Sequence, residues 1–162
     1  QVGFMIERLP WARVTAASDI RPWPGIVTIG GRPSPAVLVK PGTRISYPFS
    51  VREPTDLALL LGFYSESSGA VERSACRFEI RQTAENAGVL AEIGIELRPG
   101  TKPEDNAWRP ARLRLRETAE GTLDFEYACD SPQAAGAGAF AQAVLRPAVG
   151  QAAQEPIAGG DE

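Results

Sequence analysis

Two cysteines, Cys76 and Cys129, are the residues whose type and pattern most directly predict a chemical product, a disulfide. Each occupies an apolar position in a strand-like alternation, Cys76 with Phe78 and Ile80, and Cys129 with Phe125 and Tyr127. Core-facing cysteines can meet inside an all-β domain, and disulfides persist in oxidising compartments. The pair therefore predicts a secreted, periplasmic or otherwise extracytoplasmic protein. The alternative is two unpaired buried thiols in a reducing cytoplasm.

Two groups of carboxylates could support catalysis or hold a metal ion. Asp124 and Glu126 lie two residues apart on one strand face, so their carboxyl groups could approach the separation that inverting glycosidases use. Glu104 and Asp105 lie in a polar loop that could bind a structural calcium ion together with backbone carbonyls. Ion pairs with arginines explain the first group without any reaction. An ordinary polar turn explains the second.

Aromatic side chains outside the strands are candidates for stacking on a sugar ring. Trp23 and Trp108 lie in proline-flanked, loop-like segments, and loops often carry binding residues. Tyr64, at the end of an apolar run, is the third candidate, and Trp11 and Tyr47 are further aromatic residues with the same potential. The competing interpretation is that a tryptophan seals the end of a hydrophobic core.

Composition narrows the function classes. The chain has no histidine, which removes the commonest general base and favours a non-catalytic protein. Its net charge of −3 is too balanced for a nucleic-acid partner. No apolar run approaches the roughly 20 residues of a membrane helix, so no membrane-spanning segment is expected. The first residue is Gln1, which we interpret as a sign of processing or of excision from a longer protein, such as a membrane-anchored one.

The pattern of apolar residues predicts the elements that must position these side chains. Alternation with a period of two recurs along the chain, and 16 glycines and 14 prolines suit short strands and tight turns. We therefore predict an all-β fold, an antiparallel two-sheet sandwich (jelly roll) of about eight strands. It forms one domain over residues 1–146, with a flexible tail or linker over 147–162. A short helix is expected over Arg8–Ser18.

The clearest local unit is a predicted hairpin from Ala111 to Cys129 around Thr118-Ala119-Glu120. A single register satisfies both of its faces. That register places the following residues opposite one another: Leu115 and Leu123, Leu113 and Phe125, Arg114 and Asp124, and Arg112 and Glu126.

Two segments resemble the galactose-binding-like jelly-roll group, which includes many carbohydrate-binding modules and extracytoplasmic domains of some bacterial membrane glycosyltransferases. The first is Arg44 to Tyr64, RISYPFSVREPTDLALLLGFY, with an entry strand, a polar link and a buried central strand. The second is Asp105 to Ser131, DNAWRPARLRLRETAEGTLDFEYACDS, with a tryptophan, a strand, a glycine turn and a closing strand. The resemblance implies ligand recognition by end loops or a concave sheet face, and frequently a structural calcium.

These observations favour a non-catalytic extracytoplasmic domain that binds carbohydrate or serves as the accessory domain of a glycan-handling protein. Trp23, Trp108 and Tyr64 are its expected stacking residues. One alternative is a structural domain that docks on a protein partner in a larger, membrane-associated assembly. The other is a carboxylate-dependent hydrolase that uses Asp124 and Glu126, or Glu104 and Asp105.

Overall fold

The computed structural model describes residues 3–17, 19–64, 75–98, 107–130 and 136–148. A short helix α1 (Phe4–Glu7) and a 3₁₀ helix (Leu9–Trp11) precede ten strands. The strands are β1 (Arg13–Ala16), β2 (Trp23–Ile29), β3 (Arg32–Val39), β4 (Thr43–Pro48), β5 (Thr55–Tyr64), β6 (Cys76–Ala84), β7 (Gly88–Leu97), β8 (Arg109–Leu115), β9 (Gly121–Cys129) and β10 (Ala137–Pro147).

The strands form two five-stranded antiparallel sheets. Sheet A has the order β1-β4-β9-β6-β7, and sheet B has the order β2-β3-β10-β5-β8. The sheets pack face to face as a sandwich, which confirms the predicted fold class. The structure has ten strands where the sequence predicts about eight. The expected helix over Arg8–Ser18 is wrong beyond Trp11, because Arg13–Ala16 pairs with β4 instead.

Alternating apolar side chains from both sheets form the main core. Aromatic rings lie at its centre, and contacts between Phe140 of sheet B and two residues of sheet A connect the sheets. The ring centroids are 5.5 Å apart for Phe125 and Phe140 and 5.4 Å apart for Phe78 and Phe140, both edge to face. Such pairs add about 0.5–1.5 kcal/mol each beyond the burial of their area.

A disulfide joins Cys76 and Cys129, as the sequence predicts. The two residues lie directly opposite each other on the neighbouring strands β6 and β9. The register that pairs Phe78 with Tyr127 on the inner face also brings the cysteines together. The Tyr127 hydroxyl donates a hydrogen bond of 3.2 Å to the sulfur of Cys129, so the crosslink is continuous with the aromatic core.

The predicted hairpin between β8 and β9 is wrong, because these strands belong to different sheets. Strand β8 pairs with β5, which places Arg114 opposite Asp56 and Leu113 opposite Leu57. Strand β9 lies between β4 and β6 in sheet A. The leucine and phenylalanine side chains expected to be neighbours within one sheet thus come from sheets that face each other across the core. Alternation is satisfied equally well by both arrangements.

Gln82 fixes the point where the chain crosses from sheet B to sheet A. Its side chain is 1% exposed. The amide nitrogen donates to the carbonyl of Arg116, and the backbone N–H of Arg116 donates to the amide oxygen, both at 2.8 Å. This reciprocal pair satisfies backbone groups of the crossover that have no strand partner there.

Removal of the disulfide tests its share of the stability. Replacing both Cys76 and Cys129 by Ala should lower the free energy of unfolding by about 4 kcal/mol, because the crosslink closes a loop whose ends are 53 residues apart and restricts the unfolded chain. Urea unfolding of the variant and of the reduced parent protein measures the loss. Equal stability of the oxidised and reduced parent protein would contradict the expectation.

A double-mutant cycle tests the assignment of β8. Arg114 forms an ion pair with Asp56, so the Arg114→Ala and Asp56→Ala changes should couple by about 0.2–1 kcal/mol. Arg114→Ala and Asp124→Ala serve as the matched control pair and should be additive. Coupling to Asp124 in place of Asp56 would restore the hairpin that the sequence predicts.

Candidate ligand-binding groove

Trp108, a predicted stacking residue, is buried at 9% exposure. Its indole N–H donates a 2.8 Å hydrogen bond to the carbonyl of Arg32 at the tip of the β2–β3 hairpin. The ring also lies against Gly62 of β5. A Cβ atom added to Gly62 would be 3.0 Å from Cε3 of the Trp108 ring. This packing does not fit the role of a ligand-stacking residue, because the protein itself covers the indole.

Trp23 and Tyr64 belong to the same cluster as Trp108. Trp23 is the first residue of β2 rather than part of a loop, and Tyr64 is the last residue of β5; both are half-buried. They pack against a second, smaller apolar cluster on the outer face of sheet B. Ile29 of β2 reaches Gly62 across that face. The structure thus brings the three aromatic residues to one apolar cluster on the outer face of sheet B.

The predicted calcium ligands, Glu104 and Asp105, lie outside the described residues. Within the described ranges, no group of three or more His, Cys, Asp or Glu side chains is arranged to hold a metal ion. A calcium site therefore stays a prediction. The same part of the chain contains no helix that is long and apolar enough to cross a membrane.

Asp124 and Glu126 lie on the outer face of sheet A, within a surface of alternating charges. Glu126 pairs with Arg44 at 3.4 Å rather than with the predicted Arg112. Asp124 lies opposite Ser46 and Arg81 in the two adjacent strands. Further ion pairs on this face join Arg77 to Glu79, Arg81 to Glu79 and to Glu92, and Arg98 to Glu96.

A carboxylate pair that the sequence analysis missed lies at the β6–β7 turn. The Glu85 N–H donates to the carbonyl of Glu120, so the two side chains come close although they are distant in sequence. The pKa of Glu85 is raised because its protonated carboxyl group donates a hydrogen bond to the Glu120 carboxylate, and because the negative charge of Glu120 disfavours a second charge beside it. Both side chains are exposed to solvent, and local sequence patterns carry no signal for such a contact.

Trp11 is the tryptophan that the structure leaves in solvent, with 73% of its surface exposed. It ends the 3₁₀ helix, and its backbone N–H donates a hydrogen bond of 3.0 Å to the carbonyl of Arg8. Residues three apart in a 3₁₀ helix are eclipsed, so Arg8 and Trp11 lie on the same side of this turn. The sequence places Trp11 among the aromatic candidates, but nothing local distinguishes it from the buried tryptophans.

Trp11 and Arg8 border a groove at one end of the sandwich. A cavity of about 320 Å³ is lined by Arg8, Trp11, Tyr47 and Pro48. A second cavity of about 630 Å³ shares Arg8 and Pro48 with the first, and the two together are named here the Trp11 groove. The other residues of the second cavity are Phe49, Ser50, Val51, Arg52, Glu53, Thr55, Leu145 and Pro147.

The Trp11 groove rests on the core. The Tyr47 hydroxyl donates a 2.9 Å hydrogen bond to the carbonyl of Met5 in α1, and the ring of Phe4 packs edge to face on Tyr47 at 5.7 Å. Burial raises the pKa of Tyr47 well above its ordinary value, so this hydroxyl remains a donor. The 3₁₀ helix that carries Trp11 is thereby tied to the end of β4.

The Trp11 groove and the predicted stacking residue Tyr64 lie at opposite ends of strand β5. Strand β5 is ten residues long; it begins with Thr55, which lines the groove, and ends with Tyr64. Strand β10 runs the other way, and its Ala137 pairs with Tyr64 while its Pro147 pairs with Thr55. Tyr64 therefore lies at the end of β5 away from the groove. Pro22 and Pro24, on either side of Trp23, line a separate cavity with Leu9 and Pro10 of the 3₁₀ helix.

Comparison with solved structures shows the fold at low sequence identity. A Clostridium perfringens ZmpB structure, described as CBM51-2 in complex with GlcNAc and INT domains, has a TM-score of 0.55 and 11% identity, and the match covers 83% of this chain and 29% of that one. A CBM4 structure has a TM-score of 0.49 and 8% identity, with 85% and 86% covered. The CBM22-1 xylan-binding domain of Paenibacillus barcinonensis Xyn10C has a TM-score of 0.48 and 11% identity, with 82% and 84% covered.

The likeness to the ZmpB structure shows a shared fold, and this chain spans less than a third of that structure's length. No protein-family model matches the sequence. Comparison with curated protein sequences gives no significant match.

Replacing a buried and an exposed tryptophan by alanine should have very different effects on the free energy of unfolding. Trp108→Ala is expected to lower the free energy of unfolding by about 3–5 kcal/mol, because it leaves a cavity and an unpaired Arg32 carbonyl. Trp11→Ala should change it by less than about 0.5 kcal/mol, since the side chain is mostly in water. Chemical unfolding of both variants measures the difference. A large loss of stability in Trp11→Ala would assign this residue to the core.

Proposed function

We propose that this chain is a carbohydrate-binding β-sandwich domain that acts without catalysis in an extracytoplasmic glycan-handling protein. The observation that carries the proposal is Trp11, a large aromatic side chain that is 73% exposed beside a groove with polar and charged walls. Sugar rings have apolar C–H faces and polar edges. An exposed indole with hydrogen-bonding groups around it complements both.

The walls of the Trp11 groove supply the polar partners that such a ligand needs. Arg8 and Arg52 carry donors, Glu53 carries an acceptor, and the hydroxyl of Ser50 can do both. Phe49 and the prolines add apolar surface between them. This mixture is typical of sites that orient a small polar ligand through a few hydrogen bonds.

The small number of carboxylates that line the Trp11 groove supports a non-catalytic role. Glycoside hydrolysis ordinarily uses two carboxyl groups that flank the scissile bond. Glu53 is the one carboxylate among the described residues that line the Trp11 groove. The Cys76–Cys129 disulfide supports an extracytoplasmic location, because such crosslinks persist in oxidising compartments.

The edge strand β2 favours a second candidate function, docking on a protein partner. Its sequence WPGIVTI has no charged residue, whereas the other three edge strands, β1, β7 and β8, all carry charges. Ile26 in β2 is 78% exposed. Edge strands without protective charges pair readily with a strand of another chain.

A glycan array, probed with the folded oxidised domain with and without calcium, tests the leading proposal. Binding to a defined glycan class is expected, and Trp11→Ala should weaken it at least about tenfold because the stacking surface is lost. Ile26→Ala removes a similarly exposed apolar side chain outside the groove and is the matched control. An empty array would contradict the proposal and favour the protein-docking alternative. Binding that survives Trp11→Ala would instead remove Trp11 as the contact residue.

A further inference from the structure

We infer that the Trp11 groove selects glycans that carry anionic groups, a uronic acid carboxylate or a sulfate ester. This inference rests on the proposed glycan-binding function and adds the substrate class. It comes from two arginines, Arg8 and Arg52, that line the groove together with the exposed indole of Trp11.

Arg8 occupies the centre of the Trp11 groove, because it lines both of its cavities. Its backbone is held by a 2.8 Å hydrogen bond from its N–H to the carbonyl of Phe4, a residue anchored in the core. Its side chain is exposed and forms no ion pair with a carboxylate of the described residues. The backbone of Arg8 is therefore fixed next to Trp11, and the donors of its guanidinium group are open to a ligand.

Arg52 approaches the same groove from a rigid loop. Its neighbour Val51 is buried at 4% exposure and exchanges two backbone hydrogen bonds with Thr118, of 2.8 and 3.0 Å. The Phe49 N–H donates to the carbonyl of Gly121 at 2.9 Å on the other side. A cationic side chain on a well-fixed backbone loses less conformational freedom on binding than one on a mobile loop.

The charge balance of the groove differs from that of the chain. The chain has a net charge of −3, yet two guanidinium groups and one carboxylate, that of Glu53, line the Trp11 groove among its described residues. Elsewhere on the surface, arginines such as Arg44, Arg77 and Arg81 are neutralised by glutamates. A carboxylate or sulfate group of a bound glycan would supply an anionic partner for Arg8 and Arg52.

Guanidinium groups match carboxylate and sulfate oxygens geometrically, since both can accept two parallel hydrogen bonds from one arginine. The hydroxyl groups of a neutral sugar also accept hydrogen bonds from arginine, but these bonds are weaker because the acceptor carries no charge. Because Arg8 lines both cavities and Arg52 lines only the larger one, a chain with charges on more than one sugar residue fits best. Such a ligand stacks a ring on Trp11 and places its oxyanions on the two arginines.

The test measures dissociation constants by titration calorimetry for three probes of similar length: oligogalacturonate for carboxylates, a sulfated carrageenan oligosaccharide for sulfates, and a neutral xylo-oligosaccharide. We expect the parent protein to bind one or both acidic probes at least about tenfold more tightly than the neutral probe. Binding of the acidic probe should weaken as sodium chloride rises from 50 to 500 mM.

Arg8→Gln should weaken acidic binding by about tenfold or more, and Arg52→Gln by a smaller factor. Arg21→Gln, at an exposed arginine outside the Trp11 groove, is the matched control and should change nothing. A neutral probe that binds best and depends on Trp11 would overturn the anionic specificity and leave the proposed function standing. Acidic binding that persists in the Arg8→Gln, Arg52→Gln double variant would also overturn it. Failure of every probe on the array and in solution would instead remove the proposed function.

Discussion

A continuous chain of aromatic ring contacts between the two sheets is the constraint on which the rest of the structure depends. It runs from Phe4 through Tyr47, Phe125, Phe140 and Phe78 to Tyr127, with centroid separations between 4.8 and 5.7 Å. These residues come from α1, from three strands of sheet A and from β10 of sheet B. Because the interior is close-packed, their positions determine the strand register, and the register in turn brings Cys76 opposite Cys129.

The segment that carries the Trp11 groove is anchored by contacts with this core. Phe4 and Met5 insert at one end of the ring chain, and the hydrogen bond from Tyr47 to Met5 ties α1 to β4. The 3₁₀ helix that follows has no room to bury Trp11, because the core beneath it is already filled by Tyr47 and Phe4. The same anchoring that closes the end of the sandwich therefore presents an aromatic side chain and an arginine to solvent.

The outer faces of the two sheets differ in composition. Sheet A exposes alternating arginines and glutamates that pair across its strands. Sheet B has an apolar outer face in which Ala137, Ala139 and Ala141 of β10 are buried. On this face, Trp108 and Ile29 of β2 fill the space over Gly62. Two tryptophans that the sequence suggests as binding residues are consequently part of this covering layer.

The sequence is enough to predict the fold class and to place both cysteines in the core, because alternation with a period of two specifies which side chains of each strand must be buried. It does not show which strand lies beside which, because strands form the same backbone hydrogen bonds with any partner. In the structure, β8 pairs with β5 and faces β9 across the core. Nor does the sequence show the exposure of each tryptophan. The indole of Trp108 is covered through a contact with Arg32, 76 residues away in sequence, while Trp11 is 73% exposed. Exposure depends on what the tertiary structure packs over a side chain, and no local pattern contains that information.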